Sequence, residues 1–566
     1  MLKIFTPSKE VKIIEIHSFQ VDLYLDSFDF FENEAYIVLF SGKLYGAPVD
    51  NQAATFLHKF LNNELINKPI GSFSAWVFNK KENTFLVFRD PIGVQPIYYM
   101  CISDKLIFSQ QLRILIAKKE NLELNEDFLF LNFTEIFPAS TTKTLYKNIW
   151  KLAPNTCVTF NDFQIIKSVV LYNFKKRAYE FNGTFEEAVK AFRSLWETVL
   201  LEYIEPDKPI FSQYSGGVDS TGLVGYFHKN RTEPLHTYLL GLTETQKEVG
   251  YADDQHVVQI LLEDDGIPLP KIITQEQLKD YEDELCELDI RDLSTASSSF
   301  LEKTCLDIQS KEGRFLLSGF GGDECLTYNQ PPLYLLDTLK HLKIQHFIQG
   351  VHTFGFKTIL RLLISQMPIL IKLSNVLIKG RKIEATFKLP KELSFQSKDK
   401  NIDIFNINSD IAALLTDPSK SSRIEHEKEF ACQYGIEMRY PFYDLRLIEF
   451  FMSLKSAHKI YQKRGRFFFT TAISKWVTSA RWHLLPKSKV PTIPSLSIKK
   501  SKVHFNYDAS KLISELPEEF QLRLKPIKDF MSTNSFSQII NEEYIKRLLF
   551  VKTIYQKFNE KNDFKS

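Results

Sequence analysis

Ser215-Gly216-Gly217-Val218-Asp219-Ser220 is the stretch on which the fold turns. It follows Pro209-Ile210-Phe211-Ser212-Gln213-Tyr214, an apolar run that reads as a short buried strand. It precedes Thr221-Gly222-Leu223-Val224-Gly225-Tyr226-Phe227-His228, which reads as the first turns of a helix. Two adjacent glycines between a strand and a helix let backbone N–H groups approach an oxyanion, and the helix N-terminus adds its partial positive charge. Asp219 within the loop suits Mg²⁺ better than phosphate. The Gly-Lys-Ser/Thr ending of the Walker loop is absent. A Ser-Gly-Gly alone could be an ordinary strand-to-helix turn; the whole hexapeptide in this setting points to nucleotide chemistry.

The flanking pattern extends the reading. Phe185–Glu202 is an amphipathic helix leading into the Ile210 strand, and further strands are expected at 235–240, 271–273 and 314–318. Helices near 251–262 and across 276–312 separate them. Strands alternating with helices imply a parallel, doubly wound sheet, with ligands at the carboxyl ends of its strands. The 314–318 strand runs into Ser318-Gly319-Phe320-Gly321-Gly322-Asp323-Glu324, a second loop of the same character. Two such loops would share a phosphate site. Ser215, Gly216, Gly217 and Ser220 would cradle it from one side, and Ser318, Gly319, Gly321 and Gly322 from the other. Asp219 and Asp323 would hold one or two Mg²⁺ ions between nucleotide and protein. Either aspartate taken singly is equally well explained by helix capping or turn formation.

Upstream, residues 1 to 175 alternate apolar and polar side chains over short runs separated by turn formers, which reads as mostly antiparallel sheet with a helix near 52–64. Beyond 330 the chain reads as mainly helical. The expected architecture is α/β, with an antiparallel, β-rich domain over 1–175 and a parallel-sheet domain over 184–566 carrying a helical insert at about 330–400. Composition agrees with a globular protein: 566 residues, 44% hydrophobic and 25% charged. A net charge of +2 argues against a dedicated nucleic-acid binder. The six cysteines are scattered without CxxC spacing, which suits reduced thiols and a cytoplasmic location. In the apolar 356–378 segment the longest uncharged stretch is 362–371, too short to span a bilayer and interrupted by Pro368. It reads as an insert packed on the protein, with an interfacial helix or a peptide-docking surface as the other reading.

Two further elements complete a pattern: Arg89-Asp90-Pro91-Ile92-Gly93-Val94-Gln95-Pro96-Ile97-Tyr98-Tyr99 after Gly71-Ser72-Phe73-Ser74, and Gly435-Ile436-Glu437-Met438-Arg439-Tyr440-Pro441-Phe442-Tyr443-Asp444. With the two loops, these four ordered elements resemble the asparagine synthetases and their relatives, the β-lactam synthetases and lasso-peptide macrolactam synthetases. The first looks like their glutaminase-type (Ntn) N-terminal domain, the loops look like their ATP-pyrophosphatase loops, and the last looks like their Glu-x-Arg-x-Pro-Phe-x-Asp element. The resemblance implies ATP and Mg²⁺ as cofactors and a two-step reaction. A carboxylate would be adenylated with release of pyrophosphate, and an amine would then displace AMP to form an amide. By the same resemblance Glu437 would orient or deprotonate the amine. A lysine near the C-terminal end would stabilise the second transition state; Lys489 in Leu485-Pro486-Lys487-Ser488-Lys489-Val490-Pro491 is the first choice and Lys487 the second. The arginine that precedes this lysine in the family is absent.

Two departures bear on the amine. Glutamine-dependent members carry a cysteine directly after the initiator methionine, where this chain has Leu2, and a leucine cannot attack an amide. The N-terminal domain is thus expected to be a retained scaffold. Phe320 stands where the β-lactam branch has a tyrosine and the asparagine synthetases a glutamate, so free aspartate would lose a partner for its ammonium. The expectation is an AMP-forming amide synthetase acting on a small-molecule or peptide carboxylate and an amine, without glutamine hydrolysis. A peptide macrolactam synthetase is its most specific version, with a leader-peptide-binding protein or protease as partner. An asparagine synthase (ammonia-dependent, or glutamine-dependent if translation starts elsewhere) and a nucleotide-binding regulator without chemistry are the alternatives.

Overall fold

The structure, a computed structural model, describes residues 2–5, 12–14, 20–24, 28–47, 51–68, 70–102, 105–119, 121–134, 142–161, 164–175, 179–241, 254–274, 277–278, 298–328, 348, 407–459, 466–479, 509–533 and 538–563. Lys487, Lys489 and the 356–378 segment lie outside the described residues.

Alternating side chains build the N-terminal part as expected. One antiparallel six-stranded sheet runs in the order Gln164–Val170, Thr156–Asn161, Thr84–Arg89, Gly71–Asn79, Tyr36–Leu44, Asp29–Glu32. Ile37, Leu39, Trp76, Phe78, Phe85 and Val87 point to one face, where they meet Val21, Leu23, Leu106 and Phe108 of a second sheet. The intervening Val38, Phe40, Ala75, Val77 and Phe88 point to the other face and pack on the helix Gln52–Leu61. There the Phe56 ring lies 5.2 Å from those of Phe73 and Phe88.

The second sheet has the order Trp150–Lys151, Tyr98–Ile102, Lys105–Ser109, Gln20–Tyr24, Leu2–Phe5, Lys12–Ile14. It is mixed: Gln20–Tyr24 runs parallel to both Leu2–Phe5 and Lys105–Ser109. Alternation reports which face a side chain takes and is silent on strand direction, so this pairing was not readable from it. The far face of that sheet is covered by Leu112–Lys118, Glu126–Thr134 and three helices from the opposite end of the chain, Ala509–Ser514, Glu518–Thr533 and Gln538–Asp563.

The second part is a five-stranded parallel sheet in the order Lys271–Thr274, Leu235–Gly241, Ile210–Gln213, Phe315–Leu317, Glu437–Arg439. Ile210–Gln213 pairs with the next strand in sequence on one side and with Phe315–Leu317, three strands later, on the other. The order of winding therefore reverses between Ile210–Gln213 and Phe315–Leu317, and a crevice opens there at the carboxyl ends. Both glycine-rich loops leave from these two strands. The helix Phe185–Glu202 braces the sheet: Thr184 forms a capping box with Glu187, and Trp196 packs edge-on to Phe442 and Phe469 at 5.2 and 5.4 Å. No described helix is long and apolar enough to cross a membrane.

Candidate functional site

The first loop is organised by its two serines. Ser215 N–H donates to Ser220 Oγ at 3.1 Å, the two hydroxyls lie 3.2 Å apart, and Ser220 Oγ donates to Gly217 O at 3.2 Å. Gly216 has φ +69°, a left-handed conformation that glycine adopts without steric cost, and a Cβ there would press on Val257 at 3.0 Å. Gly217 precedes the helix Val218–Asn230, which places Asp219 in the first turn, the end where an N-terminal dipole and free N–H groups favour anions.

The second loop closes over the first. Ser318 Oγ donates to Gln213 Oε1 at 2.7 Å, tying the two strand ends together. A Cβ on Gly319 would lie 3.0 Å from Ser220 N, and one on Gly322 would lie 2.5 Å from both Cγ and Oδ1 of Asp219. A Cβ on Gly321, with φ +105°, would strike the Tyr443 ring at 2.8 Å. These glycines are thus the space into which Asp219 and Tyr443 fit. Ser215, Gly216, Gly217, Asp219 and Ser220 are brought face to face with Ser318, Gly319, Gly321 and Gly322.

Asp323 follows on the outer side of the loop, half exposed, with its carboxylate ion-paired to Arg466. Arg466 heads the helix Phe467–Ile473 with φ +66°, and its side chain is largely buried. Its Nε is buried with no hydrogen-bond partner among the described residues. This cation at the glycine-rich loops is not among the residues the sequence patterns point to. The basic run Lys463-Arg464-Gly465-Arg466 was the available signal, but nothing local ties it to a loop more than a hundred positions away. Among the described residues no cluster of three or more His, Cys, Asp or Glu side chains could hold a metal by itself. Asp219 and Asp323 as a pair suit Mg²⁺ only with phosphate oxygens completing its shell.

Glu437 is placed elsewhere. It lies in register with Phe315, at the start of its strand, whereas the loops leave from the carboxyl ends. Its carboxylate accepts from Arg439 Nε at 2.8 Å, and Arg439 Nη1 in turn donates to Tyr203 O at 2.9 Å. Partial desolvation pushes the half-exposed Glu437 carboxyl up, but the Arg439 guanidinium, with Lys428 and Lys43 adding to it, holds it below its ordinary value. The expected base beside the loops is here half of an ion pair on the edge strand. Asp444, from the same element, caps the helix Leu445–Ser453 and binds Arg446 at 2.8 Å.

The helix Pro418–Cys432 joins the site to the N-terminal part. Glu425 receives Arg89 Nη2 and Lys151 Nζ, each at 2.7 Å, with all three side chains buried. Arg89 also donates to the carbonyls of Gln95, Leu152 and Gly93. Glu429 accepts from Arg113 N at 3.0 Å. Lys420 and Arg423 of the same helix meet the 318–324 loop: Lys420 pairs with Glu324 at 2.6 Å, and Arg423, held by Glu427, lies over the Phe320 ring.

Comparison with known proteins agrees with this arrangement. A family model described as asparagine synthase matches residues 198–369 and 421–548, and one described as glutamine amidotransferase domain matches residues 54–171. Asparagine synthetase [glutamine-hydrolyzing] 3 of Bacillus subtilis is 24% identical over 325 residues, 52% of this chain and 52% of the relative. Putative asparagine synthetase [glutamine-hydrolyzing] 2 of Methanocaldococcus jannaschii is 26% identical over 237 residues, 38% of this chain and 45% of the relative. At its longest, the match spans about half the length of these curated relatives.

Proposed function

The chain belongs to the asparagine synthase family, and from that premise we propose that it is an ATP-dependent, AMP-forming amide synthetase. The observation that carries the reading is the packing of Gly319 and Gly322 directly against Ser220 and Asp219 at the reversal point of a parallel sheet. In the first step a carboxylate oxygen attacks the α-phosphorus of ATP, the bond to the β-phosphate oxygen breaks, and pyrophosphate leaves. In the second an amine attacks the acyl-adenylate carbonyl, AMP leaves with the bonding electron pair, and the amine loses a proton. Backbone N–H groups of the two loops and the start of Val218–Asn230 take the developing negative charge on the leaving pyrophosphate. Mg²⁺, held through Asp219 and Asp323, would neutralise phosphate charge. Arg466, paired with Asp323, is the protein's own cation beside that position, and Lys489, with Lys487 as the second choice, keeps the proposed role of stabilising the second transition state. Incubation with Mg-ATP and candidate carboxylates should yield AMP and pyrophosphate; ADP and phosphate alone would refute the reading.

The amine, on this proposal, does not come from glutamine. Residues 1–171 contain two cysteines, Cys101 and Cys157. Burial pushes the Cys157 thiol up to about 12, so it stays protonated in the core. Cys101 is exposed on Tyr98–Ile102. The buried Arg89–Glu425–Lys151 contact supports a scaffold role for this domain. Isotopically labelled glutamine should leave no label in the product and release no glutamate, whereas ammonium or a primary amine should support turnover. Within the same chemistry, a peptide macrolactam synthetase and an ammonia-dependent asparagine synthase differ in the acyl donor, and Phe320 favours a donor without a free ammonium.

A further inference from the structure

Arg466 meets Asp323 from the N-terminal end of the helix Phe467–Ile473, so the placement of that helix decides where the guanidinium stands. The last four carbonyls of a helix have no partner within it. Here Thr470 O accepts from Ser474 N at 3.1 Å, and Ile473 O accepts from Trp476 N at 2.8 Å and Val477 N at 3.0 Å. The two between them go to Arg193 of the helix Phe185–Glu202. Its Nε donates to Ala472 O at 2.7 Å and its Nη2 to Thr471 O at 3.0 Å, with Ser474 Oγ a further acceptor at 3.4 Å. Among the described residues Arg193 pairs with no carboxylate. A planar fork on two consecutive carbonyls fixes both the height and the rotation of the helix end. The flank is held as closely. A Cβ on Gly222 would lie 2.8 Å from the Phe469 ring, and one on Gly225 would lie 2.3 Å from Val477 Cγ2. The helix Val218–Asn230, which starts at the first glycine-rich loop, thus lacks side chains where this segment packs. Phe467–Ile473 is a rod of about 10 Å, gripped at its carbonyl end by Arg193 and carrying Arg466 at the other.

Resting on the amide-synthetase reading, we infer that Arg193 is a positioning residue of the site: by clamping the carbonyl end of Phe467–Ile473 it sets Arg466 beside Asp323. The N-terminal end of the helix is anchored weakly. Arg466 N reaches Tyr328 O only at 3.4 Å, its backbone is left-handed at φ +66°, and its buried Nε has no partner among the described residues. The place of the guanidinium is therefore inherited from the far end of the rod. A shift of about an ångström is enough to take a charge-stabilising group out of line with a transition state.

The test compares Arg193→Met, Arg193→Lys, Arg466→Ala and the double variant Arg193→Met/Arg466→Ala in the full chain. In ATP–pyrophosphate exchange, Arg193→Met is expected to lower kcat by about tenfold with KM for the carboxylate unchanged, and Arg193→Lys should recover part of the loss. The double variant should be no slower than Arg466→Ala alone, since a residue acting through Arg466 has nothing to position once that side chain is gone. Losses that multiply in the double variant would overturn the inference, as would a parent-like rate in Arg466→Ala. A parent-like rate in Arg193→Met, even with a lowered Tm, would show a structural role alone and overturn it too. Should Arg193→Met not fold, Arg193→Lys and its double with Arg466→Ala carry the same comparison. Where no carboxylate supports exchange and the amide-synthetase reading itself fails, titration of α,β-methylene-ATP with Mg²⁺ decides instead. A weakening shared by Arg193→Met and Arg466→Ala that does not multiply in the double variant supports the positioning; weakening in Arg466→Ala alone, or in neither, overturns it.

Discussion

At the scale of single residues the glycines and Asp219 decide the site. Replacing Gly322 by alanine puts a methyl 2.5 Å from the Asp219 carboxylate, closer than any real contact, so Asp219 must move. Gly322→Ala is expected to lower pyrophosphate exchange by about a hundredfold or more, an effect on positioning rather than on fold; circular dichroism and thermal melts should stay close to the parent. Asp219→Asn keeps the shape and removes the charge, and should abolish exchange and weaken Mg-ATP binding in equilibrium titration. For Arg466, the proposed neutralising role predicts that Arg466→Ala slows turnover by about 10²–10³-fold, as removal of a charge-stabilising donor does elsewhere. Arg466→Lys should recover a part of the rate. Glu437 behaves differently in this scheme. Because its carboxylate is tied to Arg439 at the start of the strand, Glu437→Gln should cost stability more than the chemical step.

At the scale of elements, the helix Pro418–Cys432 links two tasks. Residues three and four apart share a helix face, so Ser422, Glu425 and Glu429 turn together towards the N-terminal part, while Lys420 and Arg423 turn towards the 318–324 loop. Burial pushes the Glu425 carboxyl up, but Lys151 and Arg89 outweigh it and hold it below its ordinary value. A carboxyl held lower in the folded than in the unfolded state adds stability that is complete above its unfolded pKa and is lost as pH falls through the folded one. Glu425→Gln leaves two buried cations short of a partner and should destabilise the protein by about 3–5 kcal/mol near neutral pH. That difference from the parent, measured by denaturant titration, should shrink below about pH 4. An unchanged difference at low pH would show that the effect is not electrostatic. Arg89 and Asp90 are legible as part of a motif, but their partner on a distant helix is not. A motif shows local chemistry, and the pairing depends on how two domains dock.

At the scale of the whole molecule the two ends of the chain are joined. Phe520, Leu524, Leu548 and Val551 from the C-terminal helices pack into the same core as Leu115, Phe128 and Leu129 from the N-terminal part. Residues 1–175 expressed alone should therefore expose that face, bind a hydrophobic dye and aggregate, and adding the 509–563 segment should reduce both effects. A soluble, dye-silent 1–175 fragment would contradict this packing. The same scale explains why two assignments were out of reach of sequence patterns. Arg466 and Arg423 reach the glycine-rich loops from over a hundred positions downstream, and Glu437 lies at the start of its strand, in register with Phe315.

The sequence by itself determined the two loops, the parallel sheet that carries them and the β-rich partner domain. Those features rest on local physics: glycine's conformational freedom, the side-chain periods of strand and helix, and the preference of strand–loop–helix turns for anions. Only the tertiary structure decided that Gly322 makes room for Asp219, that Asp323 meets Arg466, that Glu437 stands apart, and that Phe320 is roofed by Arg423. Each of those facts is a contact between segments remote in the chain, and it is set by strand order and helix docking, which no run of neighbouring residues encodes.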